Sequence, residues 1–249
     1  MKAIGIIPAR YESSRFPGKP LIDIAGQTMI HRVYNQCKHA GSLHEVIVAT
    51  DDQRIYDHVK SFAGNVIMTD KNHQSGTDRC AEVIKNIQGF DIAINIQGDE
   101  PFIDPQQIDL LVACFNNAKV EIATLIRKIT EQEDLVNPNK PKVIVNTNEE
   151  AIYFSRQTIP YLRGVEINRW LEHLDFYNHI GIYGYRVDVL KQLTTLKPSK
   201  LELAESLEQL RWIEHGFHIK TAISNHSNDA IDTPEDLQQI LKKYFGQNN

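Results

Sequence analysis

Cysteine is scarce: Cys37, Cys80 and Cys114 are the only three in 249 residues, far apart and each among helix-like apolar neighbours. That pattern excludes a disulfide framework or a Cys-based metal site and predicts buried free thiols in a reducing cytoplasm. Basic residues are in deficit, 27 Lys and Arg against 32 Asp and Glu, giving a net charge of -5 and a pI near 6.1. A general nucleic-acid or membrane-surface binder would carry the opposite balance, so any cationic site must be local. Long apolar runs are missing too. The opening MKAIGIIPAR has one lysine and a short apolar stretch before Arg10, which predicts neither a signal peptide nor a membrane span.

What is present is a chain 41% hydrophobic and 24% charged, enough for a sizeable core. Ala3 to Ile7, "EVIVA" (45–49) and "DIAINIQ" (91–97) are short, β-rich and nearly all apolar, as expected of parallel strands covered on both faces. Between them, Met29, Ile30, Val33 and Cys37 recur at helical spacing after Thr28, a second helix follows Asp51 and Asp52, and others are predicted over Thr77 to Ile87 and from Pro105. The alternation predicts an α/β fold with a doubly wound, mostly parallel sheet and ligands at the carboxyl ends of its strands. The later half is less regular: "NPNKP" punctuates it, "KVIVN" reads as a strand and "HIGIYGYRV" alternates like an antiparallel or edge strand. A single domain over 1–249 is expected, with an inserted subregion at about 130–200 forming a lid or dimer contact.

"ARYESSRFPGKP" (9–20) follows the first strand and places Arg10, Arg15 and Lys19 among small residues. A loop leaving a strand end can aim amide groups at a phosphate while the cations add full charges, and Gly18 permits close backbone approach. It is neither a Walker A loop, since Pro20 stands where a magnesium-binding Ser or Thr belongs, nor a GxGxxG turn.

"INIQGDEPFI" (94–103) brings Asp99 to the same carboxyl edge, where a carboxylate and triphosphate oxygens can share a hard cation. Magnesium takes one or two protein carboxylates, so a second is sought, and "NDAIDTPEDL" (228–237) offers Asp232. The competing role for Asp232 is to cap the helix that begins near Pro234.

In this order, "IIPARYESSRFPGKPL", "HQSGTDRCAEV", "NIQGDEPFI", "HIGIYGYR" and "LEQLRWIEHG" resemble the CMP-KDO synthetases, the 3-deoxy-manno-octulosonate cytidylyltransferases, over essentially the whole chain. The resemblance implies a nucleotide-diphospho-sugar transferase fold and the reaction of CTP with KDO to give CMP-KDO and diphosphate. It also implies Mg2+ dependence, a homodimer and a part in lipopolysaccharide assembly.

Carried over by resemblance, the nucleotide loop falls on Ala9, Arg10, Ser13, Arg15 and Lys19, with Lys19 on the triphosphate. The cytosine-reading segment falls on Gln74, Ser75, Gly76 and Asp78. On the residues alone, "SGTDR" is a helix start capped by Ser75 or Thr77, a role compatible with ligand contact, and Arg79 is left to structure. The sugar pocket is expected from Gln97, Arg156, His179, Tyr183 and Tyr185, with Glu208 and Gln209 reaching the hydroxyls. Arg156 suits the sugar's carboxylate because its planar fork binds both oxygens. Taken alone, His179 reads better as a structural histidine than as a ligand, and one of the two tyrosines reads as core. Asp99 and Asp232 hold the metal, and Lys19 and Arg10 join them as the catalytic set. A cytidylyltransferase for an 8-amino KDO analogue or a sialic acid keeps this chemistry, while a non-catalytic nucleotide-binding module keeps only the phosphate loop.

Overall fold

The computed structural model describes residues 1–12, 16–226 and 229–246, which form two compact units, Met1–Val112 with Ser227–Asn249, and Ala113–His226. The first unit begins with β1 (Ala3–Ala9), a small hairpin of β2 (Asp23–Ile24) and β3 (Gln27–Thr28), and α1 (Met29–Lys38). It continues with β4 (Leu43–Thr50), α2 (Gln53–Ser61), β5 (Val66–Met68), α3 (Gly76–Asn86), β6 (Ile92–Asn95) and α4 (Pro105–Ala113). The second holds β7 (Ile122–Lys128), α5 (Gln132–Val136), β8 (Lys142–Val145), β9 (Ala151–Ser155), α6 (Trp170–His173) and β10 (Tyr177–Arg186). It closes with α7 (Val187–Leu193), α8 (Lys200–Glu205), α9 (Gln209–Glu214) and β11 (Ile219–Ile223), after which α10 (Pro234–Phe245) returns to the first unit.

In the first unit the strands run parallel in the order β6-β1-β4-β5. β1 has a strand on either side, and six of its seven residues are buried. A strand closed in on both edges and both faces can carry only apolar or small side chains, which is why AIGIIPA lacks the polar alternation of a half-exposed strand. Parallel pairing brings the ends of β1, β4 and β6 to one edge of the sheet, so the segments that follow Ala9, Thr50 and Asn95 all depart from there.

The helices follow from the periodicity. In α1, Met29, Ile30, Val33, Tyr34 and Cys37 are all buried, a stripe at 3–4-residue spacing. Each such side chain removed from water contributes about 1.5–3 kcal/mol before ordering costs. Met29 meets the last helix in a cluster with Ile24, Ile231 and Ile240, and Phe16, Phe102 and Leu237 pack around it. α10 is held at its start by Thr233, whose hydroxyl accepts from the Asp236 N–H while the Asp236 carboxylate returns to the Thr233 N–H. It ends on Gly246 at φ 65°.

The second unit is mixed: β11 lies parallel to β7, β10 antiparallel to β7 and β8, and β8 antiparallel to β9. The alternating "HIGIYGYRV" stretch is thus an antiparallel strand. A smaller core of Ile129, Leu135, Trp170 and Phe176 lies beneath α5 and α6. Cys37 and Cys80 are buried free thiols as expected, whereas Cys114 is only half-buried, because it sits in the 3-10 turn Cys114–Asn116 beyond the end of α4. Among the described residues no helix is long and apolar enough to cross a membrane.

Candidate active site

β1 delivers Ala9 and Arg10 to the carboxyl edge of its sheet. Ala9 is buried, and Arg10 donates through Nη2 to the carbonyl of His73, in the loop between β5 and α3. Ser13 and Arg15 lie outside the described residues. The chain returns at Gly18, whose N–H donates to the Tyr11 carbonyl at 2.8 Å and whose φ is +73°. A β-carbon there would be 3.1 Å from the Tyr11 hydroxyl in a backbone conformation side chains rarely adopt, so glycine is required by strain and space together. Tyr11 is itself fixed by the Arg54 guanidinium, 3.3 Å above its ring centroid.

Lys19 follows and opens the short 3-10 turn Lys19–Leu21. Its ammonium lies 2.7 Å from Asp99 Oδ2 and 3.0 Å from Asp232 Oδ1, joining residues 80 and 213 positions away. Burial by itself would lower the proton affinity of Lys19, but the two carboxylates outweigh it and hold the ammonium above its ordinary value.

Each acid is set in place by main chain. Asp99 follows Gly98, where a β-carbon would come within 2.8 Å of the Pro8 carbonyl, so the β6 exit passes close against the end of β1 only because residue 98 is glycine. The carbonyl of Asp99 accepts the Ile231 N–H at 2.9 Å, and the Asp232 N–H donates to Asp236 Oδ2 at 2.9 Å. Thr233, not Asp232, is the N-cap of α10, which leaves the Asp232 carboxylate to Lys19. The donor set is two carboxylates at one point, and among the described residues no third His, Cys, Asp or Glu joins them in a metal-binding group. Two hard oxygen donors beside a cationic loop fit a magnesium ion that completes its shell with phosphate and water.

In the following loop, Gln74 is exposed and its amide donates to the Asn72 carbonyl. Ser75 is the N-cap of α3: its hydroxyl accepts from the Asp78 N–H while the Asp78 carboxylate accepts from the Ser75 N–H at 3.1 Å. Gly76 begins the helix beside Pro8 and Asn95. The loop is clamped by His73 and Glu82, both within the "HQSGTDRCAEV" stretch but given no role from the sequence; their imidazole and carboxylate bond to each other, and Glu82 also accepts the Asp70 N–H at 2.9 Å. Burial would raise the Glu82 carboxyl, but these bonds hold it below the usual range.

Of the expected sugar contacts, Gln97 is half-buried just beyond β6 in the first unit, and the others belong to the second. His179, Tyr183 and Tyr185 follow one another along β10 in an aromatic nest with Phe154 and Trp212, at ring-centroid distances of 5.0–6.0 Å. Tyr185 is wholly buried, the core position that its two-residue spacing from Tyr183 left open. Burial pushes the His179 imidazole down to about 3. Glu208 precedes α9, and Gln209, 5% exposed, keeps its amide Nε2 without a protein partner among the described residues. The Arg156 guanidinium is engaged by the carbonyls of Glu205, Pro138 and Ser206. The partners that fix these residues were given no role from the sequence: Trp212 lies within the "LEQLRWIEHG" stretch, and Glu205 outside every motif stretch.

Residues 4–223 match the family model described as cytidylyltransferase, and the chain belongs to that family. The particular relatives it matches are 3-deoxy-manno-octulosonate cytidylyltransferases. That of Parabacteroides distasonis is 54% identical over 246 residues, 97% of either chain, and that of Cytophaga hutchinsonii 56% over 239 residues, 95% of either. The solved structure of CMP:2-keto-3-deoxy-manno-octonic acid synthetase complexed with CTP is similar with a TM-score of 0.91 at 42% identity, covering 98% of each chain. A 4-diphosphocytidyl-2C-methyl-D-erythritol synthase from Anaerococcus prevotii, with a TM-score of 0.63 at 13% identity, shares the fold alone.

Proposed function

We infer that the protein is a 3-deoxy-manno-octulosonate cytidylyltransferase, joining CTP and KDO to give CMP-KDO and diphosphate for lipopolysaccharide assembly. The observation that carries the reading is the convergence of Lys19, Asp99 and Asp232 from three remote parts of the chain. An ion-paired trio whose only use was stability would be an expensive way to stabilise a half-buried edge.

The anomeric hydroxyl of the sugar attacks the α-phosphorus of CTP, the bond to the bridging oxygen breaks, and diphosphate leaves with the accumulating negative charge. Lys19 and Arg10 would be the cations that meet that charge and hold the triphosphate in line. Asp99 and Asp232 would hold a magnesium ion, which when bound supplies charge neutralisation at the phosphates. With both carboxylates so engaged, the Lys19 ammonium is left for the nucleotide. Gln74, Ser75, Gly76 and Asp78 would read the cytosine edge, Arg156 the sugar carboxylate, and Gln209 a hydroxyl through its buried unpaired donor. His179 takes up a proton too reluctantly to serve as a base near neutrality.

The reading brings with it a cytoplasmic, homodimeric enzyme. Support for self-association comes from large apolar side chains left exposed on the second unit, among them Ile152 at 52%, Tyr161 at 76% and Leu203 at 70%. Light scattering tests it.

The deciding assay is diphosphate release with magnesium, comparing CTP with UTP, ATP and GTP across KDO, its 8-amino analogue and a sialic acid. Release is expected with CTP and KDO, and none from the folded Asp99→Ala variant. Substantial turnover by that variant would falsify the assignment of Asp99. Turnover of the 8-amino analogue in preference to KDO would transfer the same machinery to another sugar.

A further inference from the structure

Thr124 lies on β7, wholly buried, opposite the irregular stretch of β10 where the pairing jumps from Ile180 to Tyr183. Its hydroxyl oxygen is 2.8 Å from the Ile182 carbonyl, 3.2 Å from the Ile180 carbonyl and 3.1 Å from His179 Nε2. A hydroxyl has one proton to give and carbonyls only accept. The Thr124 proton is therefore committed to the bulge carbonyls, and the contact with His179 is made only if Nε2 carries hydrogen and donates to Oγ1. A neutral imidazole with hydrogen on Nε2 has a bare lone pair on Nδ1. The ring is held in place between Phe154 and Tyr183, and burial keeps it uncharged.

We propose that Thr124 is a specificity-setting positioning residue: by fixing His179 as the Nε2–H tautomer it presents Nδ1 as a hydrogen-bond acceptor that takes a sugar hydroxyl and refuses the sugar carboxylate. The inference rests on the reading of His179 as a sugar contact and adds which group of the sugar it meets. An acceptor facing a carboxylate sets two lone pairs against each other, whereas a hydroxyl supplies the missing proton. Discrimination in this part of the substrate then comes from a tautomer chosen by a threonine that touches no ligand. The same residue joins tautomer and strand irregularity, since the carbonyls that claim its proton are those of the bulge.

The test uses the full-length protein labelled with 15N-histidine, with the His179 resonance assigned by its loss in His179→Gln. Long-range 15N–1H correlation near neutral pH is expected to show protonated Nε2 and unprotonated Nδ1. Thr124→Val is expected to mix the tautomers and raise KM for KDO about tenfold, the cost of one hydrogen bond to a mispresented partner, with KM for CTP unchanged. Thr124→Ser, which keeps the hydroxyl, is expected to restore both, and it keeps the test open if the valine variant does not fold. A wild-type Nδ1–H tautomer, or an unaltered KM for KDO in folded Thr124→Val, overturns this inference while leaving the cytidylyltransferase reading intact. No diphosphate release from wild type with CTP and KDO overturns both.

Discussion

Arg79 and Asp51 are bound to each other within the first unit: the guanidinium side chain has no exposure at all, and its Nη2 lies 2.8 Å from Asp51 Oδ2. A second nitrogen of the same guanidinium donates to the Thr69 hydroxyl. The pair ties the residue after β4 to α3, the helix whose start carries the expected cytosine contacts. Removing the carboxylate leaves a charge buried without its counter-ion. Asp51→Ala is expected to lose about 3–5 kcal/mol, read from urea unfolding, whereas truncation of an exposed acid such as Glu172 is expected to shift stability by less than about 0.5 kcal/mol.

The pH dependence contributed by His179 has a definite sign. Its folded-state value, about 3, lies below the ordinary histidine value of 6.5, so as pH falls through 6.5 the unfolded chain takes up a proton that the native ring refuses. Stability is therefore lost progressively from about pH 6.5 down to about pH 3, at no more than about 1.4 kcal/mol per unit. Unfolding curves for His179→Gln are expected to be flatter across that window. An unchanged slope would mean that the wild-type imidazole protonates in the folded state.

Ser75 does two jobs on the present reading, and they separate experimentally. As N-cap in a reciprocal pair with Asp78 it stabilises α3, so Ser75→Ala is expected to cost about 1 kcal/mol in chemical denaturation. As part of the cytosine-reading segment its loss should also raise KM for CTP, with KM for KDO unaffected. Ser75→Gly, a tolerable cap, is expected to recover most of the stability and little of the CTP affinity.

Gly98 separates fold from chemistry less cleanly, which is itself informative. A methyl group there meets the Pro8 carbonyl at 2.8 Å, and both partners are backbone, so one of the two strand ends must move. Gly98→Ala is expected to cost about 1–3 kcal/mol and to depress kcat by carrying Asp99 away from Lys19. Gly26→Ala, where nothing lies within 4 Å but φ is +85°, supplies the comparison: backbone strain with the site untouched and kcat preserved.

How much of this was legible in the sequence depends on how local the cause is. In the first sheet β1, β4 and β6 were readable because β1, β6 and the later part of β4 are buried almost throughout and so read as apolar runs, whereas β5, three residues long and nowhere fully buried, was missed. The start of α3 was readable to within Ser75 or Thr77, and of the two Ser75 is the cap, paired with Asp78 three residues away. Asp232 was weighed as the cap of α10, a role that the Thr233–Asp236 pair takes instead; what the Asp232 carboxylate does meet is the ammonium of Lys19, 213 positions upstream, which no local pattern announces. For the same reason His73 passed unnoticed: its contributions are a carbonyl for Arg10 and a bond to Glu82, and a carbonyl has no residue type. In the second unit, β7, β9 and β11 were missed because short strands in a mixed sheet take their definition from register with one another.

The main-chain hydrogen bond from the Ile231 N–H to the carbonyl of Asp99 means that the gap between the two acids is gauged by amide geometry and not by side-chain reach. Residue 231 can drift among apolar types without altering that gauge, so long as its nitrogen keeps a hydrogen; proline is the one replacement that disconnects it. The final helix is thus more than a cover for the core: it is the jig in which one half of the acidic pair is clamped against the other.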